Sequence, residues 1–213
     1  MSFPQIKRPP KPYSKYLDFR GYVGTDANDN PFTLSIDVGP AGSKLVIVAH
    51  FEASGASSGR TLDSATIDGS ASTIHLTQAG DYQGVGISSL AITTGGSIDV
   101  VSTWSGGLVR GGIAVWVARG YASSTPHATD FANDVKTSLD CSPEISGGGF
   151  GIYACASPGT AGAPVWATPN AVRSTVSQES NAYFSVADHR VVSTASPTIN
   201  VTDTSIYCSA TWS

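Results

Sequence analysis

One pattern occurs twice in this chain, as Ser35–Ile36–Asp37–Val38–Gly39–Pro40 and again as Ser138–Leu139–Asp140–Cys141–Ser142–Pro143. The segments that follow the two copies also match, in the same order along the chain: Leu45–Ala49 with Phe150–Ala154, Ile98–Val101 with Ile199–Thr202, and Ile113–Trp116 with Ile206–Ser209. Similarity that recurs in a fixed order is the sequence signature of a duplicated structural unit. The chain is therefore predicted to contain two halves that share one fold.

The composition favours strands and turns over helices. Only 13% of the 213 residues are charged, so amphipathic helices rich in Glu and Lys are hard to build. Apolar residues alternate with polar ones from Phe32 to Val38, which is the period of a half-buried strand, whereas Leu45–Ala49 is continuously apolar. About a dozen short strands separated by Gly, Pro, Asn and Asp turns predict an all-β fold, an antiparallel β-sandwich or jelly roll built from two repeated halves.

The N-terminal region differs from the rest of the chain. Prolines 4, 9, 10 and 12 exclude a helix and favour an extended backbone, so residues 1–31 are predicted to form an extended, Pro-rich basic arm. Residues 32–213 are predicted to form the sandwich domain, with half one at 32–120, a connection at 121–134 and half two at 135–213. A chain that starts near Asn30 is accordingly expected to fold normally.

Charge is concentrated in the arm. The first twenty residues hold five basic residues and one acidic residue, a net +4, whereas the remainder holds 7 basic and 15 acidic residues, a net −8. An acidic body argues against nucleic-acid binding, and a basic arm suits docking on an acidic protein surface. The side chains predicted to contact a partner are those of Phe3, Lys7, Arg8, Lys11, Tyr13, Lys15, Tyr16 and Arg20.

A second candidate contact is the loop Ser105–Gly111, which is longer than its counterpart in the second half. Leu108, Val109 and Arg110 lie between glycines there, and apolar residues at a loop tip are costly to expose unless something covers them. Either a partner protein covers them, or Leu108 and Val109 fold back on their own domain.

The order of motifs in the first half resembles a known family, the two-half β-sandwich domains of tailed-phage virion proteins and bacterial exported proteins. The segments that carry the resemblance are the entry Asp37 with Gly42–Val48, the hairpin Ile67–Ala71, the turn Thr94–Ser97 before Ile98 and Val100, and the exit Trp116–Gly120. The resemblance implies the fold and a setting in virion appendages or exported modules. It implies no enzyme chemistry.

No catalytic or metal-binding constellation stands out in the sequence. His50, His75, His127 and His189 lack a second ligand at metal-site spacing, and they are interpreted as surface or hydrogen-bonded histidines. The segment Gly84–Val85–Gly86–Ile87–Ser88 comes near a nucleophile elbow, but its serine falls in a predicted strand. Cys141, Cys155 and Cys208 are interpreted as small buried residues with free thiols. No cofactor is expected.

The four tryptophans raise the question of glycan binding, because aromatic faces can stack on sugar rings. Trp116 alternates with Ile113, Val115 and Val117, so it is predicted to point away from them. There it is predicted to lie in the core or to meet a neighbouring chain, with contact to a glycan as the alternative.

The function predicted from the sequence is that of a structural virion protein, a capsid decoration, head spike or fibre component held to capsid or tail proteins by its arm. The predicted protein is a homo-oligomer that is made in the host cytoplasm, with no enzyme activity, no nucleic-acid partner and no membrane association. A carbohydrate-binding sandwich that recognises a host-surface glycan is the alternative, and a hydrolase assembled from distant residues is the third candidate.

Overall fold

The structure is a computed structural model that describes residues 15–26, 28–54, 58–121, 123–134, 138–140, 148–158, 163, 165–166, 171–178, 182–190, 198–200 and 205–213. No helix occurs in these residues, and the predicted all-β class is confirmed. Their strands are β1 (Tyr16–Thr25), β2 (Phe32–Asp37), β3 (Lys44–Ala53), β4 (Leu62–Ile67), β5 (Ser70–Ala71), β6 (Thr73–Ala79), β7 (Gln83–Ile92), β8 (Ser97–Trp104), β9 (Arg110–Arg119), β10 (Ala128–Asp134), β11 (Ser138–Asp140), β12 (Phe150–Pro158), β13 (Val165–Trp166), β14 (Ala171–Gln178), β15 (Ala182–Arg190), β16 (Thr198–Asn200) and β17 (Ser205–Trp212).

The strands form four antiparallel sheets, two in each half. In the first half, an inner sheet of order β1-β9-β3-β7-β6 packs on an outer sheet of order β2-β8-β4-β5. In the second half, an inner sheet of order β10-β17-β12-β15-β14 packs on an outer sheet of order β11-β16-β13. The two inner sheets face each other across the largest apolar core. The molecule is therefore two sandwiches placed back to back.

The inner sheets of the two halves have the same strand order, and the described outer strands β11, β16 and β13 follow the order of β2, β8 and β4, which confirms the predicted duplication. β10, β17, β12, β15 and β14 occupy the positions that β1, β9, β3, β7 and β6 occupy in the first half. The two copies of the Ser35 and Ser138 pattern lie in β2 and β11, at corresponding edges of the outer sheets. The proposed match of Ile113 with Ile206 is wrong in register, because Ile113 packs against the outer sheet and Ile206 packs between the inner sheets.

The predicted boundaries of the arm and the connection are wrong. Residues 16–25 of the predicted arm form β1, which pairs with β9, and residues 128–134 of the predicted connection form β10, which pairs with β17. Each half thus begins with a strand that the sequence interpretation left outside the sandwich. β1 contributes Leu17 to the core, and Phe19 packs on Trp116 with ring centroids 5.1 Å apart.

The central strands are buried on both faces because each inner sheet lies between two other sheets. Along β3, Leu45 and Ile47 pack between the inner sheets, and Val46 and Val48 pack against the outer sheet. This arrangement explains the continuous apolar run of β3, since a strand with two buried faces needs no polar side.

The packing of the inner sheets has approximate two-fold character. β1 lies by β14 and β10 lies by β6. The first strand of each half forms one edge of its inner sheet, and it lies next to the strand at the opposite edge of the other inner sheet. Near the centre, the rings of Phe51 and Phe184 stack with centroids 5.0 Å apart. Cys208 lies in this core as predicted, and Cys155 is also a buried free thiol, whereas Cys141 lies outside the described residues.

Candidate functional site

The predicted loop-tip contact is wrong for Leu108 and Arg110. Leu108 is 4% exposed and packs in the core between the inner and outer sheets of the first half. Arg110 begins β9, is buried, and lies 3.6 Å from Asp26. Val109 is half-buried, and its N–H donates to the carbonyl oxygen of Ala53. The loop therefore closes its own sandwich, which is the alternative that the sequence left open.

Trp116 points away from Ile113, Val115 and Val117, as predicted, but the face that it occupies is an internal one. Its side chain is fully buried between the inner sheets, and its Nε1 donates a hydrogen bond of 2.9 Å to Oδ2 of Asp188 in β15. The core alternative predicted for Trp116 is therefore confirmed, whereas contact with a neighbouring chain or a glycan is wrong, because the second half of the same chain covers the side chain.

The other three tryptophans are also buried. Trp104 lies in the core of the first sandwich, Trp166 in that of the second, and Trp212 between the inner sheets, where it stacks on Phe150 with centroids 5.3 Å apart. None of the four indole faces is available as a platform for a sugar ring.

The arm residues predicted to contact a partner fall into two groups. Phe3, Lys7, Arg8, Lys11 and Tyr13 lie outside the described residues. Lys15, Tyr16 and Arg20 are described, and the last two belong to β1 rather than to an arm.

These three described residues lie at the start of β1. The ammonium of Lys15 is 5.4 Å from the ring centroid of Tyr121 and donates to the carbonyl oxygen of Gly148. Tyr16 is 45% exposed. Arg20 pairs with Asp18 at 2.9 Å and with Asp37 at 3.3 Å, and the hydrogen bond to Asp18 raises the pKa of Arg20.

Two further cations lie at this end of the first inner sheet, and the sequence analysis did not single them out as site residues. Lys44 begins β3 and Arg119 ends β9, and in these antiparallel strands the two ends lie side by side. Both side chains donate to the carbonyl oxygen of Pro40, at 3.0 Å each, in the loop between β2 and β3. The sequence shows a basic residue at the start of β3 and another at the end of β9. It does not show that these two strands pair, so it could not predict that Lys44 and Arg119 meet.

A cluster of buried polar side chains lies inside the first sandwich, around His50. Among the described residues, His50 is the one histidine that is fully buried. Both ring nitrogens of His50 form hydrogen bonds of 2.8 Å with serine hydroxyls, Nδ1 with Ser102 and Nε2 with Ser88. The tautomer of the ring determines which nitrogen donates and which accepts. Burial lowers the pKa of His50 to about 3, so the ring is neutral. A serine beside a histidine suggests a nucleophile and its base, yet all three side chains are fully buried and no substrate reaches them.

Glu52 is another buried ionisable group on the face of β3 that carries His50. Its Oε1 accepts a hydrogen bond of 2.6 Å from the N–H of Arg60, and its Oε2 has no partner. Burial raises the pKa of Glu52 to about 7, against the opposing effect of the Arg60 N–H. The carboxyl therefore carries its proton over much of the acidic range, and it fastens the segment around Arg60 to the end of the sandwich.

The histidine predictions are confirmed where a hydrogen bond is described. His50 is satisfied on both nitrogens, and Nε2 of His75 lies 2.7 Å from the hydroxyl of Ser89. Within the ranges that the structure describes, no three His, Cys, Asp or Glu side chains are grouped to hold a metal ion. In those same ranges there is no helix of the length and apolarity that a membrane crossing requires.

Comparison with known proteins gives no relative for the chain: no family model matches it, and no curated protein sequence matches it.

Proposed function

We propose that the protein is a structural component of a tailed-phage virion or phage-like particle, a decoration, spike or fibre protein that its basic N-terminal segment attaches to capsid or tail proteins. The observation that carries the proposal is the junction between this segment and the body. β1 follows the segment directly and pairs with β9 from Tyr16 to Thr25. β1 pairs with β9 along its length apart from one register shift between Phe19 and Gly21, and it buries Leu17, so the start of the body is held firmly in the sheet, as an anchor requires.

Charge at the same end supports the proposal. Lys7, Arg8 and Lys11 precede β1 in the sequence. Lys15, Lys44 and Arg119 lie at the end of the sheet where β1 begins, and Arg20 follows in the middle of β1. Clustered cations on a protein whose total charge is −4 favour one orientation of approach to an acidic partner. Such attraction weakens as salt rises.

The carbohydrate-binding alternative loses the feature that suggested it, because the tryptophans are inside the molecule. The hydrolase alternative requires two carboxylates that converge in a cleft. Three clefts adjoin the loop between β2 and β3, and Asp68 is the one described carboxylate that lines any of them. An assembly protein therefore accounts better for the described residues than either alternative.

The proposal is tested by fractionation of cultures that produce the protein. Quantitative mass spectrometry of density-purified particles should find the chain at a fixed stoichiometry with capsid or tail proteins, in multiples that fit a homo-oligomer. Recovery of the chain in the soluble fraction alone, with none in particles, would contradict the proposal.

A further inference from the structure

The loop between β2 and β3, residues 38–43, is surrounded by cations that donate to its carbonyl groups. Nζ of Lys44 donates to the oxygens of Val38 and Pro40, at 3.3 and 3.0 Å. The two terminal nitrogens of Arg119 donate to the oxygens of Ser43 and Pro40, at 3.1 and 3.0 Å. The partners of both cations are thus neutral carbonyls.

Lys44 and Arg119 differ in this respect from Arg20 and Arg110, which form ion pairs with carboxylates. Arg20 binds Asp18 and Asp37, and Arg110 lies by Asp26, whereas no described carboxylate forms an ion pair with Lys44 or Arg119. Lys44 is only 3% exposed. A charge removed from water is costly unless an opposite charge or hydrogen bonds compensate it, and carbonyl groups supply only part of that compensation.

The electrostatic state of Lys44 agrees with this description. Burial lowers the pKa of Lys44 most, the neighbouring charges of Arg119 and Arg20 lower it further, and the charges of Asp37 and Asp68 oppose the shift in part. A negative group placed beside Arg119 would stabilise both cations at once, since each now repels the other.

Two clefts open beside Arg119. One, of about 150 Å³, runs between the β2–β3 loop and the segment that follows β9, with Ser43, Tyr121 and Ser124 in its walls. The other, of about 440 Å³, shares Ser43, Arg119 and Gly120 with the first. The guanidinium has five N–H donors, of which the two carbonyls use only part, so donors remain for a ligand.

The walls of the smaller cleft are fixed and polar. The carbonyl oxygen of Ser124 accepts hydrogen bonds from the hydroxyl of Ser89 at 3.1 Å and from Nε1 of Trp212 at 3.3 Å, which ties this segment to both halves. The hydroxyls of Ser43 and Ser124 are exposed and make no hydrogen bond to another described residue. A cation and free hydroxyls on a rigid rim form a site for a planar oxyanion.

We propose that the cleft beside Arg119 binds a carboxylate side chain of an acidic segment on the partner protein. A peptide fits better than an isolated anion because a further cation lies beside the cleft, where the ammonium of Lys15 is 5.4 Å from the ring centroid of Tyr121. Successive carboxylates of an acidic segment can meet these charges in turn. The identity of the partner as a protein rests on the proposed function, whereas the carboxylate site rests on the geometry around Arg119.

The test measures binding of capped tetraglutamate to the full chain by isothermal titration calorimetry, with capped tetraglutamine as the uncharged match. Arg119→Gln should weaken tetraglutamate binding by about tenfold or more, because the fork that pairs with a carboxylate is lost. Arg119→Lys, which keeps the charge, should weaken it by less. Arg60→Gln, at the opposite end of the sandwich, should leave it unchanged. Melting temperatures of the variants separate lost binding from lost folding, and Arg119→Lys carries the test if Arg119→Gln does not fold.

Equal binding of tetraglutamate by the wild type and both Arg119 variants would overturn the site, as would equal binding of tetraglutamine. Sodium glucuronate and sodium phosphate form the remaining arms. If either binds as tightly as tetraglutamate in an Arg119-dependent way, the ligand is a small anion or an acidic sugar, and the peptide assignment falls. These measurements use isolated protein, so they can fail while the chain is still found in particles, and the reverse also holds.

Discussion

Replacement of Trp116 by phenylalanine tests whether the two sandwiches are held together as described. Trp116 is fully buried between the inner sheets, and its indole N–H donates to Asp188, which is 1% exposed. Removal of one partner of a buried hydrogen bond costs about 1–3 kcal/mol, in addition to the loss of ring volume. Trp104→Phe is the matched control, because Trp104 is 2% exposed and its indole N–H has no hydrogen-bond partner.

The two variants lose the same atoms but differ in what those atoms contact. Trp116→Phe loses the hydrogen bond to Asp188, whereas Trp104→Phe removes a buried N–H that has no partner among the described residues. Trp116→Phe should therefore lower the free energy of unfolding by at least about 1 kcal/mol more than Trp104→Phe, which for a chain of this size corresponds to a melting temperature at least about 2 °C lower. Guanidinium unfolding followed by circular dichroism at a β-sheet wavelength gives both values, provided that the m-values agree. Equal losses, or a larger loss in Trp104→Phe, would refute the assigned contact across the inner sheets.

Four further predictions concern the buried residues and the boundaries of the fold. Leu108→Ser should lower the free energy of unfolding by about 2–4 kcal/mol, measured by chemical denaturation. An unchanged denaturation midpoint would contradict the burial of Leu108. A chain that starts at Asn30 lacks β1 and should melt well below one that starts at Lys15, in contrast to the expectation from the sequence; equal melting temperatures would exclude a structural role for β1. The pKa of Glu52 is about 7 in the fold against 4.5 in the unfolded chain, so its stabilising contribution is present below 4.5 and is lost as pH rises to 7. The free energy of unfolding of Glu52→Gln, relative to that of the wild type, should therefore rise by about 3 kcal/mol between about pH 4 and about pH 8. A difference between the two proteins that does not change with pH would contradict the burial of this carboxyl. The pKa of His50 falls from 6.5 to about 3, so the wild type should lose stability as pH falls from 6.5 towards 3, and His50→Gln should reduce that loss in acid titrations of the melting temperature.

The duplication and most strands were predictable because they depend on local patterns. Alternation in β2, the apolar run of β3 and the glycine turns between strands are visible in any window of the sequence. Cys208 shares strand parity with Ile206, and both pack between the inner sheets as that parity requires.

β1 was missed because its signals are weak in isolation. Phe19 and Tyr22 break strict alternation, since the register shifts between Phe19 and Gly21, where Gly21 adopts a φ of 131° that favours glycine. The nearby prolines and charges suggested an arm. The shared dipeptide of β1 and β10, Asp18–Phe19 and Asp130–Phe131, was the available clue that both are the first strand of a repeated half.

Trp116 and Leu108 were misassigned for a different physical reason. Alternation along a strand tells which residues share a face, but it does not tell what covers the other face. The four-layer arrangement buries both faces of β9, and the loop after β8 folds over the end of its sandwich. Both facts depend on contacts between segments distant in the chain, and so does the meeting of Lys44 with Arg119.

The most direct test of the proposed attachment is the incorporation of a variant that lacks residues 2–14 and keeps β1. Because Leu17 and the β1–β9 ladder remain, this variant should melt at the temperature of the full chain. We expect its occupancy in purified particles, measured by quantitative mass spectrometry beside the full chain, to fall to background, and we expect the full chain to dissociate as salt rises. Full occupancy of the shortened protein, with the same salt dependence as the intact chain, would contradict an anchor in the basic N-terminal segment.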